Sequence, residues 1–292
     1  MQELMRKDVP NDWGIKDLQN CLLNIMKYIH DFCEENDIEY FIMGGTALGA
    51  IRHGGFIPWD DDIDIFMTPA NYKKFRELFN LKGDKEQYYL QDMGLSNGNV
   101  VQGKLRLNNS EFVEDVVKKL KIHQGVFIDI MIMLNFPNNS FSRKWQIFWE
   151  SYIELKSMAN RNYNRKSFLI NTLIKSLRIF PKRFLIDYAI KQVYKYSDEE
   201  CDNYFHYYIG QKITKSVYPK TQFESSELID FETIKLRVPV GVKDYLTLLF
   251  GDYMKIPDLK YIRYHQHASK WGLNTGTNIP SVSNFADEVN YW

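Results

Sequence analysis

The stretch GGTALGAIRHGGFIPWDDDIDIF, residues 44–66, decides the fold. A short β-prone run at 38–43 precedes it, and the pair Gly44-Gly45 ends that strand before a short helix at 46–52. Further glycines and Pro58 then mark a turn, and residues 62–67 alternate acidic with apolar side chains. This order predicts a ligand site between two neighbouring strands of an α/β sheet.

The second strand of this stretch predicts a metal site. Four aspartates lie within residues 60–64. Because residues i and i+2 of a strand share a face, we expect Asp62 and Asp64 to project together while the intervening isoleucines enter the core. Two carboxylates directed at one point need a cation between them, and oxygen ligands suit Mg²⁺ or Mn²⁺.

Three other interpretations of the acids were weighed. A solvated acidic turn does not require the apolar alternation, and a calcium loop requires a D-x-D-x-D-G pattern that is absent here. The DxD metal motif of glycosyltransferases is the remaining alternative. The upstream pair Gly44-Gly45, which lets the backbone approach a ligand closely, favours a nucleotide-binding arrangement instead.

Asp129 is a lone acid in the apolar strand predicted at 125–133. Buried acids are rare unless they are paired or bind a metal. The sequence therefore predicts Asp129 as a third metal ligand on a neighbouring strand, with a hydrogen-bonded core aspartate as the alternative.

A second set of residues is expected to bind the phosphates and the rest of the substrate. The helix that follows the glycine pair offers free N–H groups to phosphate, and nearby cations offer countercharge. For each cation taken singly, ordinary surface solvation is the alternative. The predicted substrate-binding residues are Gly44, Gly45, Thr46, Arg52, His53, Trp59, Asp61, Lys104 and Arg106.

The rest of the chain predicts a mixed α/β (α+β) sheet with hairpins, not a doubly wound parallel sheet, because few helices separate its strands. Helices are predicted at 15–36, 70–79, 140–196 with a break at Pro181, and 243–250; strands are predicted at 87–91, 101–107, 111–116, 125–133 and 231–238. The expected organisation is an N-terminal helix (1–37), a catalytic core (38–135), a basic helical insertion (140–215), a C-terminal segment that completes the pocket (216–275) and a tail (276–292).

Composition limits the class of protein. The 292 residues have a formal net charge of zero and contain no recognised nucleic-acid-binding module, so no nucleic-acid partner is expected. The three cysteines have no metal-ligand spacing, and neither a signal peptide nor a membrane span is predicted, which indicates a cytoplasmic protein. Residues 143–195 carry twelve Lys or Arg and three acids, interleaved with apolar residues. This pattern predicts either peripheral contact with the inner face of the cell membrane or a helical subdomain with a solvated basic face.

The sequence resembles the LicD family of phosphotransferases, which includes the fukutin-type enzymes. The resemblance rests on residues 44–66, on KLRLNNSEFVED at 104–115, on HQGVFIDI at 123–130 and on VPVGVKDYLTLLFGDYMKIP at 238–257, in that order. One departure is the segment IMIMLNFP, which is more apolar than the F-P-x-D that usually follows the third block in the family.

This resemblance implies a nucleotidyltransferase-like core with a helical insertion. It implies metal-dependent transfer of a phospho-alcohol (phosphocholine, phosphoglycerol or phosphoribitol) from a CDP-linked donor to a hydroxyl of a cell-surface glycan, with release of CMP. The acceptor would be a teichoic acid, capsule polysaccharide or lipopolysaccharide, with a lipid-linked glycan among the alternatives. Asp62 and Asp64 would form the metal pair. Asp129 would hold a second metal ion or deprotonate the acceptor.

Three rival functions stay open at this point. A nucleotidyltransferase would transfer the nucleoside monophosphate and release pyrophosphate. A DxD glycosyltransferase would release a nucleoside diphosphate. A non-catalytic scaffold would bind no nucleotide in a metal-dependent way.

Overall fold

The computed structural model describes residues 14–92, 102–118, 120–160, 172, 176, 183–206, 212–256 and 267–274. The described helices are α1 (Lys16–Glu35), α2 (Gly44–His53), α3 (Pro69–Lys82), α4 (Ser140–Asn160), α5 (Arg183–Tyr194) and α6 (Val242–Phe250). The described strands are β1 (Phe41–Ile42), β2 (Asp64–Met67), β3 (Tyr88–Gln91), β4 (Gln102–Leu107), β5 (Ser110–Glu114), β6 (Phe127–Ile132), β7 (Leu134–Phe136), β8 (Asn203–Phe205), β9 (Val217–Pro219), β10 (Ser226–Phe231), β11 (Ile234–Pro239) and β12 (Ala268–Leu273).

A five-stranded sheet in the order β1-β2-β6-β4-β3 forms the centre of the fold. Strands β2 and β6 are parallel, and the other pairs of this sheet are antiparallel. The mixed α+β architecture predicted from the sequence is therefore confirmed. The register places Asp64 opposite Asp129 across the parallel pair, and Lys104 opposite Asp129 across the next pair.

Helices α1 and α3 cover this sheet for reasons that are visible in the sequence. Leu18, Leu22 and Ile29 recur at helical spacing on α1 and are fully buried, and this helix contacts β6. Helix α3 begins as predicted at a Thr-Pro pair, where the hydroxyl of Thr68 accepts the N–H of Asn71 at 3.3 Å.

The acid-bearing stretch differs from its prediction in two places. Helix α2 begins at Gly44 itself, so the glycine pair forms its first turn and does not separate strand from helix. Strand β2 begins at Asp64, which leaves Asp62 in the preceding irregular segment. The strand argument that paired Asp62 with Asp64 on one face therefore does not apply. The segment is instead fixed by distant groups, among them Gln19, whose side-chain amide donates to the carbonyl of Asp60 at 2.9 Å.

The C-terminal part of the sequence also differs from its prediction. The single strand predicted at 231–238 is a hairpin of β10 and β11, in which Glu232 turns the chain with a φ of +56° and no glycine is needed. Strand β12 was not predicted, and it pairs with β5 in antiparallel fashion. Both elements matter for the site. The turn of the hairpin contacts the stretch 44–66 through Glu232, and the start of β12 contacts it through the preceding His267.

Helices α4 and α5 pack on each other and confirm the helical character of this region. The break predicted at Pro181 and the tail predicted after residue 275 lie outside the described residues. Within the described ranges, no helix has the length and apolarity required to cross a bilayer.

Candidate active site

Asp64 and Asp129 form the part of the site that belongs to the sheet. They are register neighbours on the parallel strands β2 and β6, where adjacent strands lie about 4.8 Å apart. The ammonium of Lys104, on the other side of Asp129, lies 2.8 Å from its Oδ1 and 3.0 Å from its Oδ2. The side-chain amide of Gln102 also donates to Asp129. Asp129 is thus held between a carboxylate on one strand and a cation on the next.

Asp64 has the least compensated carboxylate of the described site. Its Oδ1 is buried, and no described group forms a hydrogen bond with it. Burial raises the pKa of Asp64 well above its ordinary value, and the neighbouring charges of Asp62 and Asp129 raise it further. A buried carboxylate oxygen without a partner is costly, so this atom marks a position that a cation would satisfy.

Asp61 is tied to the beginning of β12. Its side chain accepts the backbone N–H groups of His267 at 2.8 Å and Ala268 at 2.9 Å, and it is 1% exposed. The imidazole Nδ1 of His267 lies 3.0 Å from Asp61 and 3.2 Å from Asp62. The hydrogen bond to Asp61 raises the pKa of His267 to about 10, so the ring is an imidazolium at neutral pH. Asp61, predicted to bind substrate, therefore contacts the protein itself.

Asp60 and Asp62 complete the group of acids. Burial raises the pKa of Asp62 to about 6, with His267 opposing and Asp61 and Asp129 adding to the effect. Burial also raises the pKa of Asp60 well above its ordinary value, followed by the charges of Asp62 and Asp64. These acids therefore share one electrostatic environment, although the strand geometry places only Asp64 and Asp129 directly.

The glycine pair at the start of α2 lies against two of these acids. A Cβ added to Gly45 would stand 2.9 Å from a carboxylate oxygen of Asp60, and one added to Gly44 would stand 3.7 Å from a carboxylate oxygen of Asp64. The N-terminus of a helix favours negative charge nearby, so α2 stabilises both carboxylates. Glycine is required at this approach because a larger side chain would displace Asp60.

Two hydrogen bonds fix α2 relative to the rest of the site. The hydroxyl of Thr46 accepts the N–H of Asp64 at 3.0 Å and so joins α2 to β2. The hydroxyl of Tyr245, on α6, accepts the N–H of Gly44 at 3.0 Å. Thr46 therefore positions a catalytic candidate and does not present a free hydroxyl to substrate.

Arg52, His53 and Trp59 lie together at the far end of α2. The guanidinium of Arg52 donates to the carbonyl of Tyr253 at 2.8 Å and to the imidazole of His53 at 2.9 Å. Burial lowers the pKa of Arg52, and the charge of Asp60 opposes that shift. Trp59 is 5% exposed, and its ring meets that of His53 edge to face at 6.5 Å. Arg52 remains close enough to the acids to influence them, whereas the ring of Trp59 is enclosed by protein.

Arg106 does not join the site as predicted. It is 2% exposed, and its guanidinium donates to the side chain of Gln91 and to the carbonyl of Gly125. Lys104 and Arg106 share a face of β4, as the alternation predicts, and both lie over the ring of Phe127, at 3.4 Å and 4.6 Å. Only Lys104 reaches an acid of the site. The longer side chain of Arg106 donates instead to acceptors in the interior of the sheet.

The donor set fits a hard divalent cation. Among the described residues, Asp61, Asp62 and His267 have potential ligand atoms within 4.8 Å of one another. Asp61 already accepts hydrogen bonds at both oxygens, from the imidazole of His267 and the backbone N–H of Ala268. In the predicted set of Asp62, Asp64 and Asp129, a carboxylate oxygen of Asp64 has no described partner, whereas both oxygens of Asp129 contact Lys104 or Gln102.

Three residues that hold the site were missed by the sequence analysis. Gln102 was detectable, since it precedes Lys104 by two positions on one face of β4. Tyr245 and His267 gave no local signal, because they lie 201 and 206 residues from the groups they contact.

Comparisons with known proteins give one family and several relatives. The family described as LicD/FKTN/FKRP, nucleotidyltransferase domain, matches residues 37–154. The lipopolysaccharide cholinephosphotransferase LicD of Haemophilus influenzae is 29% identical over 270 residues, which cover 83% of this chain and 92% of that protein. The human ribitol 5-phosphate transferase FKRP is 44% identical over 39 residues, 13% of this chain and 8% of that protein. An uncharacterised protein of Rickettsia typhi is 52% identical over 57 residues, 20% of this chain and 18% of that protein.

The mixed sheet and its acids, with the matching family model, define a nucleotidyltransferase-type domain. Residues 37–154 match the LicD family's nucleotidyltransferase domain, and the chain is a LicD-type phosphotransferase.

Proposed function

We propose that this protein transfers a phospho-alcohol from a CDP-linked donor to a hydroxyl of a cell-surface glycan and releases CMP. The observation that carries the proposal is the pairing of Asp64 with Asp129 across parallel strands, beside the N-terminus of α2. The names of the two characterised relatives support the reaction class, since one transfers a choline phosphate and the other a ribitol phosphate.

The acids are suited to a metal-assisted reaction. Asp62, Asp64 and Asp129 would hold Mg²⁺ or Mn²⁺, and a bound cation would neutralise the charge of the donor diphosphate. Lys104 and Gln102 orient Asp129 through their contacts with both of its oxygens. The N–H groups at the start of α2 favour a further negative charge there.

Chemically, one bond replaces another at phosphorus. The acceptor oxygen bonds to the phosphorus that carries the alcohol, the bond from that phosphorus to CMP breaks, and the hydroxyl proton passes to a carboxylate of the acid set. Little covalent chemistry is left to the protein, so positioning and charge neutralisation determine the rate. The rigid sheet holds Asp64 and Asp129, whereas Asp61 and His267 hold the loop that carries Asp62.

Donor binding and product analysis test this proposal. We expect CDP-choline, CDP-glycerol or CDP-ribitol to raise the melting temperature only with Mg²⁺ or Mn²⁺, because a ligand that binds the folded state stabilises it. Incubation with donor and glycan should release CMP, detected by ³¹P NMR. Release of pyrophosphate would indicate nucleotidyl transfer, and release of a nucleoside diphosphate from UDP-sugars would indicate a glycosyltransferase.

We further propose that the protein docks on the inner face of the membrane through an aromatic surface of α4, defined as Phe141, Trp145 and Phe148. Phe141 is 75% exposed and Phe148 is 58% exposed, and both rings stack on Trp145, at 6.5 Å and 6.2 Å. Lys144 is exposed on the same helix, next to Trp145 in sequence, whereas Arg143 donates to the carbonyl of Pro137. Aromatic rings flanked by cations suit the interface of an anionic bilayer, where a lipid-linked acceptor would be presented.

Vesicle flotation tests the membrane contact. Phe141→Ser combined with Phe148→Ser should abolish binding to phosphatidylglycerol vesicles. Leu81→Ser is the matched control, because Leu81 is a 79% exposed apolar residue on α3, away from the aromatic surface. Equal flotation of the double variant and the control would refute the docking surface.

A further inference from the structure

A groove of about 850 Å³ is lined by residues other than those of the acid site. Its walls come from the first half of α1, the segment between α3 and β3, the β4–β5 turn and the end of β12. This volume is in the range of sites that hold a drug-sized ligand. The groove is therefore a candidate binding site separate from the acids.

The chemistry of the groove points to an uncharged ligand with many hydroxyl groups. Asparagine side chains line it at five positions, and each amide both donates and accepts hydrogen bonds. The described lining residues include acids but no lysine or arginine, which disfavours a nucleotide or any other anion. Of the two aromatic residues in the lining, Tyr88 is buried, and the half-buried indole of Trp271 offers an apolar face and an N–H donor. The lining asparagines are Asn20, Asn24, Asn108, Asn109 and Asn274.

Part of the polar lining is already engaged, and part is not. Asp84 accepts the backbone N–H groups of Glu86 and Gln87, and Asn108 donates to the carbonyl of Glu86. In contrast, no described residue forms a hydrogen bond with the exposed side chains of Asn20 or Asn24. The engaged groups shape the groove, and the free amides remain to contact a ligand.

The groove and the acid site share two walls. On α1, Gln19 binds the carbonyl of Asp60, and the adjacent Asn20 faces the groove. On β12, the strand that starts beside Asp61 reaches Trp271 four residues after His267, about 13 Å along an extended chain. A molecule that reacts at the acids and extends along β12 would enter the groove.

We propose that this groove binds a saccharide unit of the acceptor glycan, with Trp271 under the sugar ring and Asn20 and Asn24 on its hydroxyl groups. The proposal rests on the proposed function for the identity of the acceptor. The groove would select the glycan by its uncharged part, a few sugar units away from the hydroxyl that reacts.

Calorimetric titration with uncharged oligosaccharides ending in glucose, galactose or N-acetylglucosamine tests the groove directly. We expect at least one of them to bind the wild type at millimolar concentration. Trp271→Ala should weaken that binding about tenfold or more, and Trp271→Phe should weaken it less, because a ring keeps the apolar face. Asn24→Ala, an exposed change on α1 that removes no core contact, should also weaken it.

Lys270→Ala is the matched control on the same strand. Lys270 pairs with Glu111 and does not line the groove, so its replacement should leave saccharide binding unchanged. Unaltered binding in both Trp271→Ala and Asn24→Ala would overturn the proposal. So would failure of every oligosaccharide to bind the wild type.

Asp64→Asn separates this proposal from the proposed function. The variant should bind oligosaccharide like the wild type, because Asp64 lies outside the groove, while it loses the metal-dependent response to CDP-alcohols. If the wild type shows no response to any CDP-alcohol but Trp271 still governs saccharide binding, the donor assignment fails and the groove stands. If the wild type responds to a CDP-alcohol but the groove variants do not alter saccharide binding, the donor assignment stands and the proposal for the groove fails.

Discussion

The acids of the site fall into two groups that are held in different ways. Asp64 and Asp129 lie on adjacent parallel strands, and the ladder of β2 and β6 fixes their relation. Asp61 and Asp62 lie in the irregular segment before β2, and His267, more than 200 residues later, contacts both. The sheet supplies a rigid part of the site, whereas the segment supplies a part whose position depends on long-range contacts. Substitutions in the sheet and in the irregular segment should therefore have different effects.

The largest effect is expected at the sheet. Asp64→Asn or Asp129→Asn should lower the rate of transfer about 1000-fold or more, because charge neutralisation dominates this chemistry. Without metal, Asp64→Asn should also melt at a higher temperature than the wild type at pH 7, since the raised pKa of Asp64 means that its charge opposes folding. Assays of CMP release and metal-free thermal unfolding would show both. A variant with substantial activity would contradict the metal assignment.

Breaking the ion pair of Asp129 should have the next largest effect. Lys104→Met leaves a buried carboxylate without its cation, which we expect to cost about 3 kcal/mol of unfolding free energy. Denaturant unfolding measures this loss. The double variant Lys104→Met with Asp129→Asn should recover most of it, because no unpaired charge remains. Additive losses would show that the pair does not interact.

In the irregular segment, a smaller effect on activity is expected. Asp61→Asn removes the charge that holds His267, so Asp62 loses its restraint while the sheet stays intact. We expect turnover to fall about 10- to 100-fold, as for other residues that orient metal ligands, with a higher Mg²⁺ requirement. Steady-state kinetics at varied Mg²⁺ would test this. A loss as large as that of Asp64→Asn would instead place Asp61 among the ligands.

Substitutions at two glycines of α2 separate an effect on the position of an acid from an effect on the stability of the fold. Gly45→Ala meets a carboxylate oxygen of Asp60 at the end of a side chain, so the acid shifts and turnover falls about tenfold with little loss of stability. Gly49→Ala meets the backbone carbonyl of Gly55 at 2.4 Å, so it should destabilise the fold. Kinetic assays should therefore show the loss of turnover in Gly45→Ala, and thermal unfolding should show Gly49→Ala as the less stable variant.

The smallest effect on activity is expected for a buried acid away from both groups, whose influence is on stability. Burial raises the pKa of Glu150, on α4, to about 8, with Glu154 adding to the effect. A raised pKa contributes stability that is fully present below the unfolded value of about 4.3 and is lost as pH rises through about 8. From pH 5 to 8, the unfolding free energy of the wild type should therefore fall relative to that of Glu150→Gln. Above pH 8, the difference between the two should stay constant. Denaturant unfolding across this range checks it, and Mg²⁺ should not alter the difference.

Much of the rigid part could be predicted from the sequence. The alternation of acid and isoleucine identified Asp64, and a lone acid in an apolar strand identified Asp129, because both signals are local and periodic. Lys104 followed from the same alternation, although that rule placed Arg106 in the site and the structure places it in the interior. Periodicity gives the face of a strand and not the depth that a long side chain reaches.

The irregular part could not be predicted in the same way. Segment 60–63 has no repeating hydrogen-bond pattern of its own, so its conformation is set by partners such as Gln19 and His267. His267 precedes a strand that was not predicted, and its role depends on contact with Asp61 across the fold. A single sequence carries no local signal for such a contact.

The contact between Asp61 and His267 has a consequence for synthesis of the chain. At about 5–20 residues per second, a ribosome that has made Asp61 needs about 10–40 s to reach a residue 206 positions later. During this interval the acids of the segment have neither the imidazolium nor the backbone N–H groups that later hold them. A nascent chain can therefore form its sheet early, but the segment that carries Asp61 and Asp62 gains these contacts only after His267 has been made. This order would keep an incomplete chain from acting on donor before strand β12, which lines the proposed acceptor groove, exists.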